Sequence, residues 1–238
     1  MFRGFSFGGD PPQAAWDPGT LERARERMVR TQLEGRDIDD PRVLRAMRAV
    51  PRHAFVPPEE LALAYEDHAL PIAYGQTISQ PYIVAFMAQV LEPQEGLRAL
   101  EVGAGTGYQA AVLAACGLEV FAIERIPELV ETARRNLAAA GLADRVELRL
   151  GDGREGWPER AAFDRILVSA ATDRVPDALV EQLRPGGFLV APVGGAGHQR
   201  IRRYVKRGDG GLEEESLIGA RFVPLVEGVS DEMKEPGG

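Results

Sequence analysis

Apolar residues in the first part of the chain recur with helical spacing. Residues 20–35 repeat apolar side chains near a period of about 3.6 residues and predict a helix, with Thr20 as its cap. Asp40 and Pro41 are typical of the start of a second helix. A short helix over 59–65, an extended segment over 70–72 and a helix over 80–91 follow. Residues 20–91 are therefore predicted to form a helical layer that packs on, or covers, the next domain.

From residue 97 onward, short β-rich runs alternate with helical stretches. This alternation predicts an α/β fold, a Rossmann-like, doubly wound and mostly parallel sheet with helices on both faces. Two last β-rich segments flank a glycine-rich turn at 208–211 and predict an antiparallel hairpin at one sheet edge. The predicted strands span 97–102, 119–123, 146–150, 163–169, 188–193, 199–206 and 214–223, and the predicted helices span 108–116, 127–140 and 175–183.

Composition narrows the class of protein. The chain has 238 residues, of which 45% are hydrophobic and 27% charged, as in ordinary globular proteins. We expect a flexible tail over 1–19, the helical layer and substrate-side loop over 20–91, a ligand-binding α/β domain over 92–228 and a second tail over 229–238. The absence of a secretion signal or a membrane-length apolar run, and the single Cys116, favour a cytoplasmic protein without membrane attachment.

The net charge of the chain and the spacing of its histidines argue against a nucleic-acid-binding protein and a metalloprotein. A net charge of −8 disfavours nucleic-acid binding, because that affinity comes mainly from clustered Lys and Arg. The basic cluster over 200–207 is interpreted as a solvated strand edge. His53, His68 and His198 lie at no metal-ligand spacing, so we expect no metal. We also expect the protein to be a monomer.

The strongest chemical signal is a glycine-rich turn between the first strand of the alternating region and the next helix. Gly103, Gly105 and Gly107 lie in this turn, after Glu101. Glycines allow close approach of a ligand, and the free N–H groups at the helix start attract an anion. A pyrophosphate or a methionine carboxylate would both suit this position, although a tight turn also uses glycine for steric reasons.

Acidic residues end the next two strands. Glu124 can accept hydrogen bonds from both ribose hydroxyls of a nucleoside, and Asp152 can accept the adenine amino group. Alternatively, Glu124 forms a surface ion pair with Arg125, and Asp152 belongs to an ordinary turn. Together with the glycine turn, however, these positions outline a site for S-adenosylmethionine. The Gly-x-Gly-x-Gly spacing also disfavours the dinucleotide of a nicotinamide-dependent dehydrogenase.

A polar segment precedes the helix predicted over 80–91. Residues 75–82 read Gly-Gln-Thr-Ile-Ser-Gln-Pro-Tyr, which places two hydroxyls just before a helix start. Ser79 is suited to cap that helix, with Pro81 in its first turn. A hydroxyl at this position could also bind an acceptor substrate.

These segments together resemble protein-L-isoaspartate O-methyltransferases, within the class I S-adenosylmethionine-dependent methyltransferases. The resemblance spans about residues 25–226, and Gln-Thr-Ile-Ser-Gln-Pro is its most specific part. The other matching segments are 28–33, 51–57, 101–109, 124–126, 151–153, 156–157, 185–187 and 222–225.

The resemblance implies a repair reaction and assigns roles to residues. The family methylates the free carboxylate of L-isoaspartyl residues in damaged proteins and peptides, and the ester then cyclises to a succinimide that can reopen as aspartate. Ser79 matches the active-site hydroxyl, and Gly103 matches the loop that holds the methionine part of the donor. The residues expected to bind the donor are Glu101, Gly103, Gly105, Gly107, Glu124, Arg125, Asp152 and Gly153. Those expected to bind the substrate are Thr77, Ile78, Ser79 and Val223.

The chemistry needs no general base. A carboxylate with a pKa near ~4 is ionised at neutral pH, and a sulfonium methyl group is already electrophilic. Ser79 is therefore expected to orient the acceptor. The alternatives are a methyltransferase for a small molecule or nucleic acid, a nicotinamide-dependent dehydrogenase and a noncatalytic nucleoside-binding module.

Overall fold

The computed structural model describes residues 17–195 and 197–230. Its α-helices are α1 Pro18–Met28, α2 Pro41–Ala49, α3 Pro81–Val90, α4 Tyr108–Ala115, α5 Pro127–Ala139 and α6 Asp177–Gln182. Its strands are β1 Leu70–Pro71, β2 Thr77–Ile78, β3 Arg98–Val102, β4 Glu119–Glu124, β5 Val146–Leu150, β6 Phe163–Val168, β7 Leu183–Val193, β8 Gln199–Lys206 and β9 Leu212–Ala220. A π-helical turn, Val29–Leu33, continues α1, and five short 3-10 helices occupy connections.

The first helix begins before the predicted cap. Asp17 caps α1, because its carboxylate accepts the N–H groups of Gly19 at 2.9 Å and Thr20 at 3.2 Å. The prediction of Thr20 as the cap was therefore wrong, and α1 starts at Pro18, within the predicted tail over 1–19. Residues 1–16 and 231–238 of the two predicted tails lie outside the described residues.

The start of α2 is confirmed, whereas the start of α3 differs from the prediction. Asp40 accepts the Arg42 N–H at 2.8 Å, with Pro41 at the first helical position. At α3 the cap position belongs to Gln80, whose side chain makes no capping bond. Ser79 therefore does not cap the helix, and its hydroxyl is available for another partner. The predicted short helix over 59–65 is a 3-10 helix, Pro58–Leu63.

Seven strands form one mixed sheet, in the order β5-β4-β3-β6-β7-β8-β9. Strands β3 to β7 pair in parallel with their neighbours, while β7, β8 and β9 pair antiparallel. The doubly wound parallel sheet and the terminal hairpin are thus confirmed. The basic segment on β8 does not form the edge that was predicted, because β9 covers it and Arg202 pairs with Glu214.

The helical layer over 20–91 shares a core with one face of the sheet. Met28, Val43 and Met47 of the layer belong to the same buried cluster as Ala111 and Leu113 of α4. A second cluster, around α6, covers the opposite face. The layer is therefore packed against α4, the helix that the glycine-rich turn begins. No helix among the described residues combines the length and apolar character needed to cross a membrane.

Candidate functional site

A cavity lies at the carboxyl ends of β3, β4 and β6. After β3 the chain proceeds to β4 and β5 on one side, and it returns to β6 on the other side of β3. Such a reversal leaves a crevice at the strand ends, where open α/β sheets bind ligands. The cavity is lined by Gln76, Thr77, Val102, Gly103, Gly105, Ile123, Glu124, Arg125, Ile126, Gly153, Ser169, Ala170 and residues 223–226.

The glycine-rich turn has a backbone that side chains disfavour. The φ angles of Gly103, Gly105 and Gly107 are 86°, 55° and 91°, all in the left-handed region. Gly107 is the cap residue of α4 and offers no side chain to the free N–H groups of the first helical turn. The turn therefore exposes backbone donors next to the cavity, as a carboxylate of a ligand would require.

Glu124, at the end of β4, is hydrogen-bonded to the glycine-rich turn. One oxygen of its carboxylate accepts the N–H of Gly105 at 2.8 Å, and the other accepts those of Arg125 at 2.8 Å and Ile126 at 3.0 Å. Glu124 is 5% exposed. Burial raises the pKa of Glu124, and the three hydrogen bonds act in the opposite direction. The alternative of a surface ion pair with Arg125 is therefore wrong.

Glu101 is the most deeply buried acidic group near the cavity. The residue is 0% exposed, and the Ser169 hydroxyl donates to its Oε1 at 3.0 Å. Its Oε2 is buried and has no hydrogen-bond partner in the part of the chain that the structure describes. Burial raises the pKa of Glu101 to about 8, against the bond from Ser169. Without a counter-ion, this carboxyl group is thus largely protonated at neutral pH.

Residues 77–79, which carry the Thr77 and Ser79 hydroxyls, line a second, adjoining cavity together with Glu101. This cavity is lined by Thr77, Ile78, Ser79, Val84, Glu101, Gly103, Ala104, Gly105, Thr106, Tyr108, Gln109 and Ser169. Thr77 and Ile78 form β2, which pairs with β1 and so fixes the segment in place. Ile78 is 5% exposed and packs into the core, whereas Ser79 is half-buried at the cavity. The two cavities adjoin and share the lining residues Thr77, Gly103, Gly105 and Ser169.

Asp152 and Gly153 follow β5 but have different surroundings. The carboxylate of Asp152 accepts the N–H groups of Arg154 at 2.8 Å and Gly228 at 2.7 Å. It lines a larger, more open cavity beside the first one. Gly153 lines the first cavity, and a Cβ atom at this position would lie 2.3 Å from Cγ1 of Val102. Absence of a side chain thus keeps this wall close to β3.

The chain after β9 crosses the mouth of the cavity. Ala171 donates its N–H to the Val223 carbonyl at 2.7 Å and accepts the Leu225 N–H at 2.7 Å. This pairing holds residues 223–225 against the end of β6. Arg125 donates to the Gly228 carbonyl at 2.9 Å, which fixes the following residues. Val223 therefore lies at the cavity, in backbone contact with the sheet.

Most of the predicted residues meet at this place. The first cavity contains Thr77, Gly103, Gly105, Glu124, Arg125, Gly153 and Val223, and the second adds Ile78, Ser79 and Glu101. Gly107 lies behind the turn, against Ala133 of α5. Asp152 is at the rim only.

Sequence reasoning missed Ser169, Gln109 and the apolar walls formed by Ile126 and Leu225. Ser169 is the last residue of the fourth predicted strand, so its position at a strand end could have identified it. No group of three or more possible metal ligands occurs among the described residues.

The chain is similar to known proteins over this whole region. A family model described as protein-L-isoaspartate(D-aspartate) O-methyltransferase matches residues 23–230. A protein-L-isoaspartate O-methyltransferase of Methylorubrum extorquens is 57% identical over 206 residues, covering 87% of this chain and 90% of the relative. The corresponding protein of Methanospirillum hungatei is 50% identical over 202 residues, covering 85% of this chain and 93% of the relative.

A solved structure has the same fold. It is a Plasmodium falciparum protein, described as a protein-L-isoaspartate O-methyltransferase in complex with S-adenosyl-L-homocysteine. Its TM-score is 0.73 and its identity 25%, covering 87% of this chain and 98% of that chain. The similarity thus includes the helical layer as well as the sheet.

Proposed function

This chain belongs to the protein-L-isoaspartate(D-aspartate) O-methyltransferase family, and on that premise we propose how its residues carry out the reaction. The protein transfers the methyl group of S-adenosylmethionine to the free carboxylate of L-isoaspartyl residues in damaged proteins and peptides. One observation carries the assignment of residues: the Ser79 segment and the glycine-rich turn line the same cavity.

The polar groups around the cavity fit S-adenosylmethionine. Glu101 Oε2 and Gln109 Nε2 are buried and have no hydrogen-bond partners within residues 17–195 and 197–230, so a ligand with both a cation and an anion would complement them. The N–H groups at the start of α4 suit the methionine carboxylate. Glu124, which already accepts three N–H groups, retains acceptor capacity for a ribose hydroxyl, since an ionised carboxylate offers about four lone-pair sites.

The adenine end is assigned to the wall made by Gly153. Ile126 and Leu225 add apolar surface there, as a flat aromatic base requires. Asp152 is assigned to the adenine amino group through the acceptor capacity that its two backbone bonds leave. Arg125, tied to Gly228, borders the same end.

Positioning carries the catalysis. When bound, the donor supplies a sulfonium methyl group that is electrophilic without further activation. The Ser79 hydroxyl donates a hydrogen bond to one oxygen of the acceptor carboxylate. This bond orients the other oxygen for in-line attack. Among the described residues, the Ser79 hydroxyl has no hydrogen-bond partner that would compete. Proximity and orientation of this kind can supply roughly 7 kcal/mol or more.

The acceptor reaches Ser79 along the segments on either side of the cavity mouth. Thr77 and Ile78 on one side, and Val223 on the other, are assigned to the peptide chain around the isoaspartyl residue. The net charge of −8 and the pairing of the β8 arginines with acidic residues speak against a nucleic-acid substrate. We propose a monomer that acts in the cytoplasm.

A paired peptide assay tests this function. The protein is incubated with labelled S-adenosylmethionine and a peptide that contains L-isoaspartate, or with its L-aspartyl twin. We expect label in the first peptide only. Equal labelling of both peptides, or label in neither, would contradict the proposal, and reduction of a nicotinamide cofactor would favour a dehydrogenase.

A further inference from the structure

Glu101 is a buried acid that has no cationic partner among the described residues. It lies on the central strand β3 and is 0% exposed. The Ser169 hydroxyl donates to Oε1 at 3.0 Å, whereas no described residue bonds to Oε2. Among the described residues, no lysine, arginine or histidine lines the cavity that Glu101 borders. Arg125 lines only the adjoining cavity, where it donates to the Gly228 carbonyl. A charged carboxylate in this position would therefore lack compensation.

The described elements around Glu101 supply no positive charge to compensate an ionised carboxylate. From β4, Glu124 contributes a like charge, which raises the pKa of Glu101, while burial is the larger cause of the rise to about 8. From α4, Gln109 and the phenol of Tyr108 are neutral, since burial raises the pKa of Tyr108 to about 12. The backbone N–H of Ala110 and the Ser169 hydroxyl lower the pKa of Glu101 but carry no full charge. The remaining lining residues lie on β2, on α3, between these two elements or in the glycine-rich turn, and none of them carries a charged side chain.

The cavity next to Glu101 adjoins the one assigned to S-adenosylmethionine and shares four lining residues with it. This donor brings two cationic groups, the sulfonium and the α-ammonium. A cation beside a buried carboxyl group stabilises its ionised form and so displaces the proton. Among the described residues that line the two cavities, the only other acidic side chain is that of Glu124, which already accepts three N–H groups.

We propose that Glu101 holds a proton while no cation occupies the cavity and releases it to solvent when the cationic donor binds. The O–H bond of the carboxyl group breaks, the proton goes to the buffer, and the carboxylate becomes the counter-ion of the donor. Glu101 thereby selects a ligand of positive charge. This inference rests on the proposed function, because the donor supplies the cation.

Calorimetry with S-adenosylmethionine measures the released proton directly. The titration is done in two buffers that differ in ionisation enthalpy, at about pH 6.5, where an α-amino group with a pKa of about 7.7 to 8.0 is protonated. We expect close to one proton released per donor bound. Binding without proton release would overturn the inference and leave the proposed function intact, whereas failure of the donor to bind would overturn both.

Two further ligands identify the cation. S-adenosylhomocysteine keeps the α-ammonium and lacks the sulfonium, so its proton release would assign the effect to the ammonium, and absence of release would assign it to the sulfonium. 5′-Methylthioadenosine lacks both charges and should release no proton. Equal release with this neutral nucleoside would overturn the inference.

Two variants test whether Glu101 is the group that releases the proton. Glu101→Gln keeps the shape and an acceptor for Ser169, and it should bind the donor with almost no proton release. Glu124→Gln, which removes the neighbouring acid, should retain the proton release per donor bound. Release that persists in Glu101→Gln and disappears in Glu124→Gln would overturn the inference. Infrared difference spectra of the unaltered protein give a second test, in which the band of a protonated carboxyl group should disappear on donor binding. Persistence of that band would contradict release.

Discussion

The carboxylate of Glu124 accepts the backbone N–H of Gly105 across 2.8 Å, so the end of β4 holds the glycine-rich turn that follows β3. The same carboxylate accepts the N–H groups of Arg125 and Ile126. One side chain thus fixes two neighbouring loops around the cavity. Glu124 has a structural role in addition to its proposed contact with the ribose.

Glu124→Gln should destabilise the protein and weaken donor binding. A glutamine has one accepting oxygen, so its amide nitrogen must face either the Gly105 N–H or those of Arg125 and Ile126. An unsatisfied buried donor costs about 1 to 3 kcal/mol, which urea unfolding would measure. Glu119→Gln on the same strand is the control, because its side chain is 59% exposed and it should change stability by less than about 0.5 kcal/mol. Equal effects of the two variants would contradict this role.

Ser79→Ala should slow methyl transfer while leaving donor affinity almost unchanged. Loss of one orienting hydrogen bond, worth about 1 to 1.5 kcal/mol, corresponds to about a tenfold lower kcat. Steady-state kinetics and calorimetry with S-adenosylhomocysteine separate the two effects. Ser216→Ala, on β9 and away from the cavity lining, should retain full activity. A Ser79→Ala variant with unaltered kcat would refute the orienting role.

Gly153→Ala should destabilise the fold through a steric clash. The new Cβ atom would lie 2.3 Å from Cγ1 of Val102, at the end of the strand that carries the glycine-rich turn. Overpacking of this kind costs about 1 to 3 kcal/mol, and displacement of Val102 should also weaken donor binding. The matched control is Gly219→Ala, where no atom lies within 4 Å of the added Cβ. Thermal unfolding of both variants provides the comparison.

Glu101 should make the protein less stable as pH rises toward 8. The pKa of Glu101 is raised from 4.5 to about 8 in the folded state, so the folded protein binds more protons than the unfolded chain between these values. Stability therefore falls with pH in this window. Glu101→Gln removes the penalty and should gain stability relative to the parent by on the order of a few kcal/mol between about pH 5 and pH 8.5. Urea unfolding without donor measures the free energy of unfolding of both proteins at both pH values. A difference between variant and parent that is the same at both pH values would contradict this assignment.

Local patterns predicted the elements where short-range interactions decide. Asp40 followed by Pro41 opened α2 as expected, because cap and proline act within one turn. Alternation of strands and helices predicted the parallel sheet. The same local reasoning misplaced the first cap, since Asp17 and Thr20 are both good caps and Pro18 favours the earlier start. It also assigned Ser79 to capping, although the β1–β2 pairing determines the position of that segment.

By itself, the sequence determined the class of fold, the glycine-rich turn and the acidic strand ends, because these depend on residue type and on spacing along the chain. Tertiary structure alone decided which groups meet. Ser169 contacts Glu101 although 68 positions separate them, and Val223 reaches the cavity through pairing with Ala171. Burial, which raises the pKa of Glu101, arises from packing of distant segments around β3, and no local pattern encodes it.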